Sequence, residues 1–258
     1  MSLPTSPEET TDDALLGGRL RLLQPARGHR AGHDALLLAA TVPTDARHAV
    51  DLGAGVGAAG LAAAIRLPAA RVTLVEIDPA TATLAARNAA RQTPDMSGRI
   101  AVVAADIATL ARPSGPELPA ARAADVVLAN PPFNDPSRHR VSPLDEKARA
   151  HAIPDAGMGA WIKAAERLLE AGGRLRLIHR PEALEALLAA LKGRFGAVSI
   201  LPVHPAPEAP AIRLLVGAIK GRRTPPRLLP GLVLAGADGR PSPEAERLLR
   251  GGEGLALE

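Results

Sequence analysis

The chain has no cysteine, no tyrosine, two phenylalanines and one tryptophan among its 258 residues. The absence of cysteine excludes disulfides, thiolate zinc sites and cysteine nucleophiles together. No apolar run reaches the roughly 18 residues that a membrane-spanning helix needs. The polar N-terminus, with its prolines, threonines and acidic residues, lacks the basic start and apolar stretch of a signal peptide. A cytoplasmic protein with no membrane partner is the expectation. Because aromatics are so few, Phe133 and Trp161 are the only rings besides Phe195 and the histidines that could stack on a ligand.

Lysine is also scarce, at 4 residues against 27 arginines. The net charge of +4 and pI near 10.2 permit RNA binding without demanding it. Enrichment in arginine, alanine, glycine and proline reads as a coding bias. With 47% apolar and 22% charged residues, the chain has the composition of a globular protein with one substantial core and extensions at its ends.

Along the chain, residues 1–13 are expected to be disordered, being polar and proline-containing. Residues 14–45 form an N-terminal segment of one strand, at 19–22, and one helix, for which Asp34 is the expected cap. From residue 46 to 220 strand and helix alternate: strands at 49–52, 71–76, 100–105 and 125–129, and helices at 58–67, 79–92, 161–171 and 182–191. A further strand at 174–179 precedes two more, at 197–201 and 213–219, with no helix between them. That spacing predicts a mostly parallel α/β sheet of seven strands closed by an antiparallel C-terminal hairpin. Residues 221–258 form a Pro/Gly-rich tail with one helix at 244–250.

The strand at 125–129 runs into Asn130-Pro131-Pro132-Phe133. The Asn130 side-chain oxygen and the Pro131 carbonyl can each accept a hydrogen bond from a planar NH2 group, and proline offers no N–H to compete. Phe133 offers a face on which a base or an amide can stack. Such a turn can hold an amine so that its nitrogen attacks an electrophile.

Upstream, Asp51-Leu52-Gly53-Ala54-Gly55-Val56-Gly57 opens a helix. Alternate glycines let the backbone turn tightly and let a ligand lie on it, with the helix N-terminus behind. Glu76 ends the second strand of the alternating unit, where a carboxylate can accept both hydroxyls of a ribose. Asp106 follows the third, where it can accept from an adenine amine. Gly55-Val-Gly57-Ala-Ala-Gly60 with Glu76 also fits a dinucleotide fingerprint. Against that reading, Asp51 would place negative charge beside a pyrophosphate, whereas it suits a ligand with an amino group. Asn-Pro-Pro-Phe also has no part in hydride transfer.

Together these residues resemble the class I S-adenosylmethionine-dependent methyltransferases, whose Rossmann-like fold is the expected one. Asp51, Gly53, Gly55 and Gly57 match the cofactor loop of that class, Glu76 its ribose acid, Asp106 its adenine acid, and Asn130 to Phe133 the catalytic tetrapeptide of its amino-methyltransferases. Leu16-Gly-Gly-Arg19, Gln24-Pro25, Gly28-His29-Arg30-Ala31-Gly32 and Asp34 are similar to the N-terminal segment of the bacterial tRNA(Val) adenine-37 N6-methyltransferases. The resemblance covers roughly residues 13–250 and implies S-adenosylmethionine as cofactor, a tRNA partner and no metal. It also implies Asn130, Pro131 and Phe133 as catalytic residues, Arg30 and Asp34 beside the cofactor, and Pro132, Phe133, Arg138 and Arg140 against the substrate. His29 and Phe133 depart from the commoner residues of the family. The same tetrapeptide occurs in enzymes that methylate guanine N2 in ribosomal RNA, and Asn-Pro-Pro-Tyr in those that methylate release-factor glutamine. A non-catalytic protein binding cofactor and RNA is a further alternative.

His29, His33, His139 and His151 have no metal-like spacing. Two basic sets could track phosphates: Arg138, His139, Arg140, Lys147 and Arg149 after the tetrapeptide, and Lys220, Arg222, Arg223 and Arg227 near the tail. Trp161 reads as a core residue on an amphipathic helix.

Overall fold

The computed structural model describes residues 9–27, 30–112, 123–132 and 157–257. The chain opens with a hairpin of β1 (Thr10–Leu15) and β2 (Leu20–Pro25), paired antiparallel as a separate two-stranded sheet. This corrects the expectation of disorder for residues 10–13; residues 1–8 lie outside the described residues. β1 has no apolar stripe to announce it, and its acidic side chains are held by hydrogen bonds and ion pairs instead: Asp12 by Arg21 and Arg91, Asp13 by Gln24 and Arg30. Helix α1 (His33–Ala40) follows, with its residues from Ala35 onward buried.

The main sheet begins at β3 (His48–Leu52) and continues with α2 (Ala58–Arg66), β4 (Arg71–Glu76), α3 (Pro79–Ala90), the short α4 (Pro94–Ser97), β5 (Ile100–Ala104), α5 (Ile107–Leu110) and β6 (Ala124–Ala129). Then come α6 (Gly157–Leu168), β7 (Leu169–His179), α7 (Leu184–Leu191), β8 (Phe195–His204), β9 (Arg213–Lys220), the two-residue strands β10 (Arg227–Leu228) and β11 (Leu232–Val233), and α8 (Pro243–Leu249). Spatially the order is β5-β4-β3-β6-β7-β9-β8, with β10 and β11 pairing along the outer side of β8. β3 to β7 pair parallel, whereas β9 pairs antiparallel to both β7 and β8. The expected seven-stranded sheet with its C-terminal hairpin is present, and the tail adds β10 and β11 to its edge.

One core cluster packs α1, α2, α3 and α8 on one face, including Leu37, Leu61, Leu84 and Leu248. The other packs α5, α6 and α7 on the opposite face, including Leu110, Ile162 and Leu187. Strand order reverses between β3 and β6: the chain first builds outward through β4 and β5, then returns to the other side of β3. In an open α/β sheet, ligands bind outside the carboxyl ends of the strands at such a reversal. Asp51 lies near the end of β3, Gly53 follows it and Asn130 follows β6, so the motifs flank the switch point.

Several boundaries differ from expectation, two of them near the cavity. α6 starts four residues before Trp161 and ends at Leu168; Lys220 Nζ donates to the Glu166 and Leu169 carbonyls at its C-terminus, at 2.5 and 2.6 Å. Gly172 and Gly173 therefore lie in β7 and not at a helix end. Asp34 is not a cap: Gly32 holds that position without a side-chain bond, and Asp34 sits in the first turn of α1.

Candidate active site

A cavity of 1110 Å3 opens along the carboxyl edge of the sheet. Of the sequence-derived candidates, Arg30, Asp34, Asp51, Gly53, Gly55, Glu76, Asp106, Asn130, Pro131 and Pro132 all line it. The size lies at or above the roughly 300–1,000 Å3 of ordinary small-molecule sites, which leaves room for a cofactor and part of an acceptor. Gly57 does not line it; with φ of 93° it is the N-cap of α2, packed against Leu74 and Leu61. Phe133, Arg138 and Arg140, with the rest of the basic set after the tetrapeptide, lie outside the described residues, as do Gly28 and His29.

The glycine loop is shaped by what lies behind it. Gly53 has φ of 64°, in the left-handed region, and a Cβ there would run into the Trp161 ring. Trp161 is thus both core and cavity wall: from α6 it supports the loop through a position that only glycine leaves clear. That role was not legible in the sequence, because it joins residues more than a hundred positions apart.

Three carboxylates organise the same edge. Asp51 is 2% exposed, and its Oδ2 accepts the Gly60 N–H at 2.8 Å. Burial, set against that hydrogen bond and reinforced by the charge of Glu76, pushes the Asp51 carboxyl up to about 7. Glu76 Oε2 accepts the Gly55 N–H at 2.8 Å, while Oε1 accepts the N–H groups of Ile77 and Asp78 at 2.9 and 3.0 Å. It therefore ties the glycine loop of β3 to the end of β4. Asp106 caps α5, its Oδ1 accepting the Ala108 N–H at 2.7 Å. Each carboxylate thus has a backbone partner that fixes its orientation, and all three residues line the cavity.

The opposite wall comes from the N-terminal segment and the C-terminal hairpin. Asp34 Oδ2 accepts from Arg213 Nε at 2.7 Å, joining α1 to the start of β9. Arg30 is paired with Asp13. Val203, Ile212 and Leu234 add an apolar surface beside Arg213. The second basic set lies elsewhere. Arg213 and Lys220 are the two ends of β9, so Lys220 sits roughly 23 Å from the cavity edge at a rise of about 3.3 Å per residue. Among the described residues no group of three or more His, Asp or Glu side chains could hold a metal ion, and no helix is long and apolar enough to cross a membrane.

Residues 31–203 match the family model of the methyltransferase small domain. The chain belongs to the methyltransferase small domain family. S-adenosylmethionine is the cofactor of this family. The curated relatives include the Porphyromonas gingivalis tRNA1(Val) (adenine(37)-N6)-methyltransferase, 34% identical over 163 residues, which are 61% of this chain and 61% of that protein. The chain therefore matches under two thirds of that relative's length. Among solved structures, a predicted O-methyltransferase from Agrobacterium tumefaciens is 32% identical with a TM-score of 0.68, covering 86% of this chain and 98% of that one. A T. thermophilus 16S rRNA methyltransferase solved with AdoMet and guanosine is 22% identical with a TM-score of 0.54, over 84% of this chain and 51% of that one, and shares the methyltransferase small domain fold.

Proposed function

We propose that the protein transfers the methyl group of S-adenosylmethionine to an exocyclic amine, with adenine N6 in tRNA as the leading acceptor. The observation that carries this reading is that the Asn130-Pro131 turn and the glycine loop line one cavity from opposite sides of the switch point. The name of the P. gingivalis relative supports adenine in tRNA as the acceptor.

The residues present fit S-adenosylmethionine. The glycine loop leaves backbone uncovered at Gly55; Glu76 would accept from ribose hydroxyls, Asp106 from an adenine amine, and Asp51 from the ammonium of an amino acid. Arg30 and Asp34 complete the wall on the side of α1. When bound, the cofactor supplies a methyl group on a positive sulfur, which needs only an in-line nucleophile.

The remaining work falls to the chain. An adenine amine is a weak nucleophile because its lone pair is delocalised into the ring. The Asn130 oxygen and the Pro131 carbonyl would each accept a hydrogen bond from one amine N–H, drawing the nitrogen toward tetrahedral geometry and stabilising the positive charge that forms on it. A neutral amide is too weak a base to remove the proton, which leaves to water after transfer. Two acceptors suit an amine with two N–H groups better than a hydroxyl with one proton, which separates this reading from the one in the name of the A. tumefaciens neighbour. Pro132 and Phe133 would flank the base, with Arg138 and Arg140 on nearby phosphates. An unpaired loop base is the cheapest to present, since flipping a paired one costs a few kcal/mol.

The test is to incubate the protein with methyl-labelled S-adenosylmethionine and separated tRNA, ribosomal RNA and protein fractions. Products are then identified by nucleoside and peptide mass spectrometry. N6-methyladenosine from tRNA is expected. 2-Methylguanosine or methylglutamine would replace the acceptor, and label on a hydroxyl would overturn the amine reading.

A further inference from the structure

Asn88 and Gln24 line no part of the cavity, yet both are buried polar side chains whose amide oxygen and nitrogen are each hydrogen-bonded. Asn88, in α3, is 0% exposed. Its Oδ1 accepts the Leu23 N–H at 2.7 Å, and its Nδ2 donates to the Leu23 carbonyl at 2.9 Å and to the Val56 carbonyl at 3.0 Å. Gln24 is 2% exposed. Its Oε1 accepts the Ala31 N–H at 2.7 Å, and its Nε2 donates at 2.7 Å to Asp13 Oδ2, the oxygen that also holds Arg30.

Val56 belongs to the glycine loop, whereas Arg30 and Ala31 belong to the facing wall, and all three line the cavity. Both walls are therefore tied to adjacent residues, Leu23 and Gln24, of the single strand β2. The hairpin that carries β2 has two strands, an arrangement that is marginal alone in water. Asn88 engages both the N–H and the C=O of Leu23, as a third strand would. Buried amides bonded through both oxygen and nitrogen fix a unique arrangement, and removing one such bond leaves a buried partner unpaired.

We propose that Asn88 and Gln24 are positioning residues that hang both walls of the cofactor cavity on β2, so that order in the N-terminal hairpin and order in the glycine loop are coupled. This rests on the cofactor reading of the cavity. Asn88→Asp keeps the acceptor for Leu23 and loses the two donated bonds; Gln24→Glu keeps the acceptor for Ala31 and sets a carboxylate against Asp13.

The test titrates wild type, both single variants and the double variant with S-adenosylhomocysteine at a temperature where melting curves show each to be folded. Leu191→Ala, a core truncation in α7 away from the cavity, serves as the stability control. Each single variant is expected to bind at least ten-fold more weakly, with the turnover at saturating S-adenosylmethionine changed less than three-fold. The double variant is expected to lose less than the product of the two single effects, while the control melts lower and binds normally. Variants that melt lower yet keep wild-type affinity would overturn the proposal and leave the amides structural. If the variants do not fold, hydrogen exchange on the wild type decides. Added S-adenosylhomocysteine should slow exchange at Leu23 and Ala31 together with Gly55; protection confined to the glycine loop would overturn the coupling. Failure of the wild type to bind S-adenosylhomocysteine at all would instead overturn the cofactor reading.

Discussion

The Gly60 N–H donates to Asp51 Oδ2 at 2.8 Å, so the carboxylate of a cavity-lining residue also staples the end of β3 to the first turn of α2. A negative charge at a helix N-terminus is favourable, but this one is buried beside Glu76. The site holds a carboxyl whose ionisation burial opposes and a nearby positive charge would favour. The α-ammonium of S-adenosylmethionine or its product would be such a group.

Asp51 therefore gives a pH prediction with a definite sign. Its folded-state pKa, about 7, lies above the ordinary aspartate value of 3.8. Its contribution to stability is thus fully present below the unfolded value and is lost as pH rises through about 7. Above that, ionisation costs on the order of 4 kcal/mol in the ligand-free protein. Asp51→Asn keeps an acceptor for Gly60 and removes the charge. It should melt higher than wild type at pH 8, converge with it toward pH 4, and bind S-adenosylhomocysteine more weakly at pH 8. Equal melting temperatures for the two proteins at pH 8 would show that the carboxyl ionises without penalty.

Gly53→Ala should fail for two separate reasons. A left-handed φ costs a side-chain-bearing residue about 1–2 kcal/mol, and the new methyl would meet the Trp161 ring. Cofactor affinity should fall along with thermal stability. Adding Trp161→Leu to Gly53→Ala tests the contact: the double variant should recover part of the lost affinity, and no recovery would assign the whole effect to the backbone.

Lys220→Met separates fold from substrate contact. The ammonium caps the C-terminus of α6 by donating to two carbonyls, so its removal should cost about 1.5–3 kcal/mol of stability. KM for the proposed RNA acceptor should stay unchanged, since this end of β9 is remote from the cavity. A rise in KM without loss of stability would return Lys220 to the role of a phosphate contact.

Much of this was legible in the sequence because the ligand edge of a parallel sheet is written at strand ends. Apolar runs placed β3 to β9, and the residues that follow them, Gly53, Glu76, Asp106 and Asn130, fell on one edge as soon as the strands were taken as parallel. What escaped is cooperative and long-range. β1 reads Thr-Thr-Asp-Asp-Ala-Leu, with no hydrophobic period to detect, and β10 and β11 are too short to have one. Asp34 has the sequence position of a cap, but its partner Arg213 comes from the far end of the chain. Asn88 sits within α3 like any surface asparagine, and only the folded chain brings Leu23 and Val56 to it.

The central claim is that the Asn130 turn activates an amine while the rest of the cavity holds the cofactor. The most direct measurement compares Asn130→Ala with wild type for both S-adenosylhomocysteine affinity and methyl transfer to tRNA under single-turnover conditions. The account predicts affinity within about three-fold of wild type and transfer lowered by roughly 10²–10³ or more, the scale on which a lost transition-state hydrogen bond acts. Transfer within ten-fold of wild type, or a loss of affinity that matches the loss of rate, would contradict it.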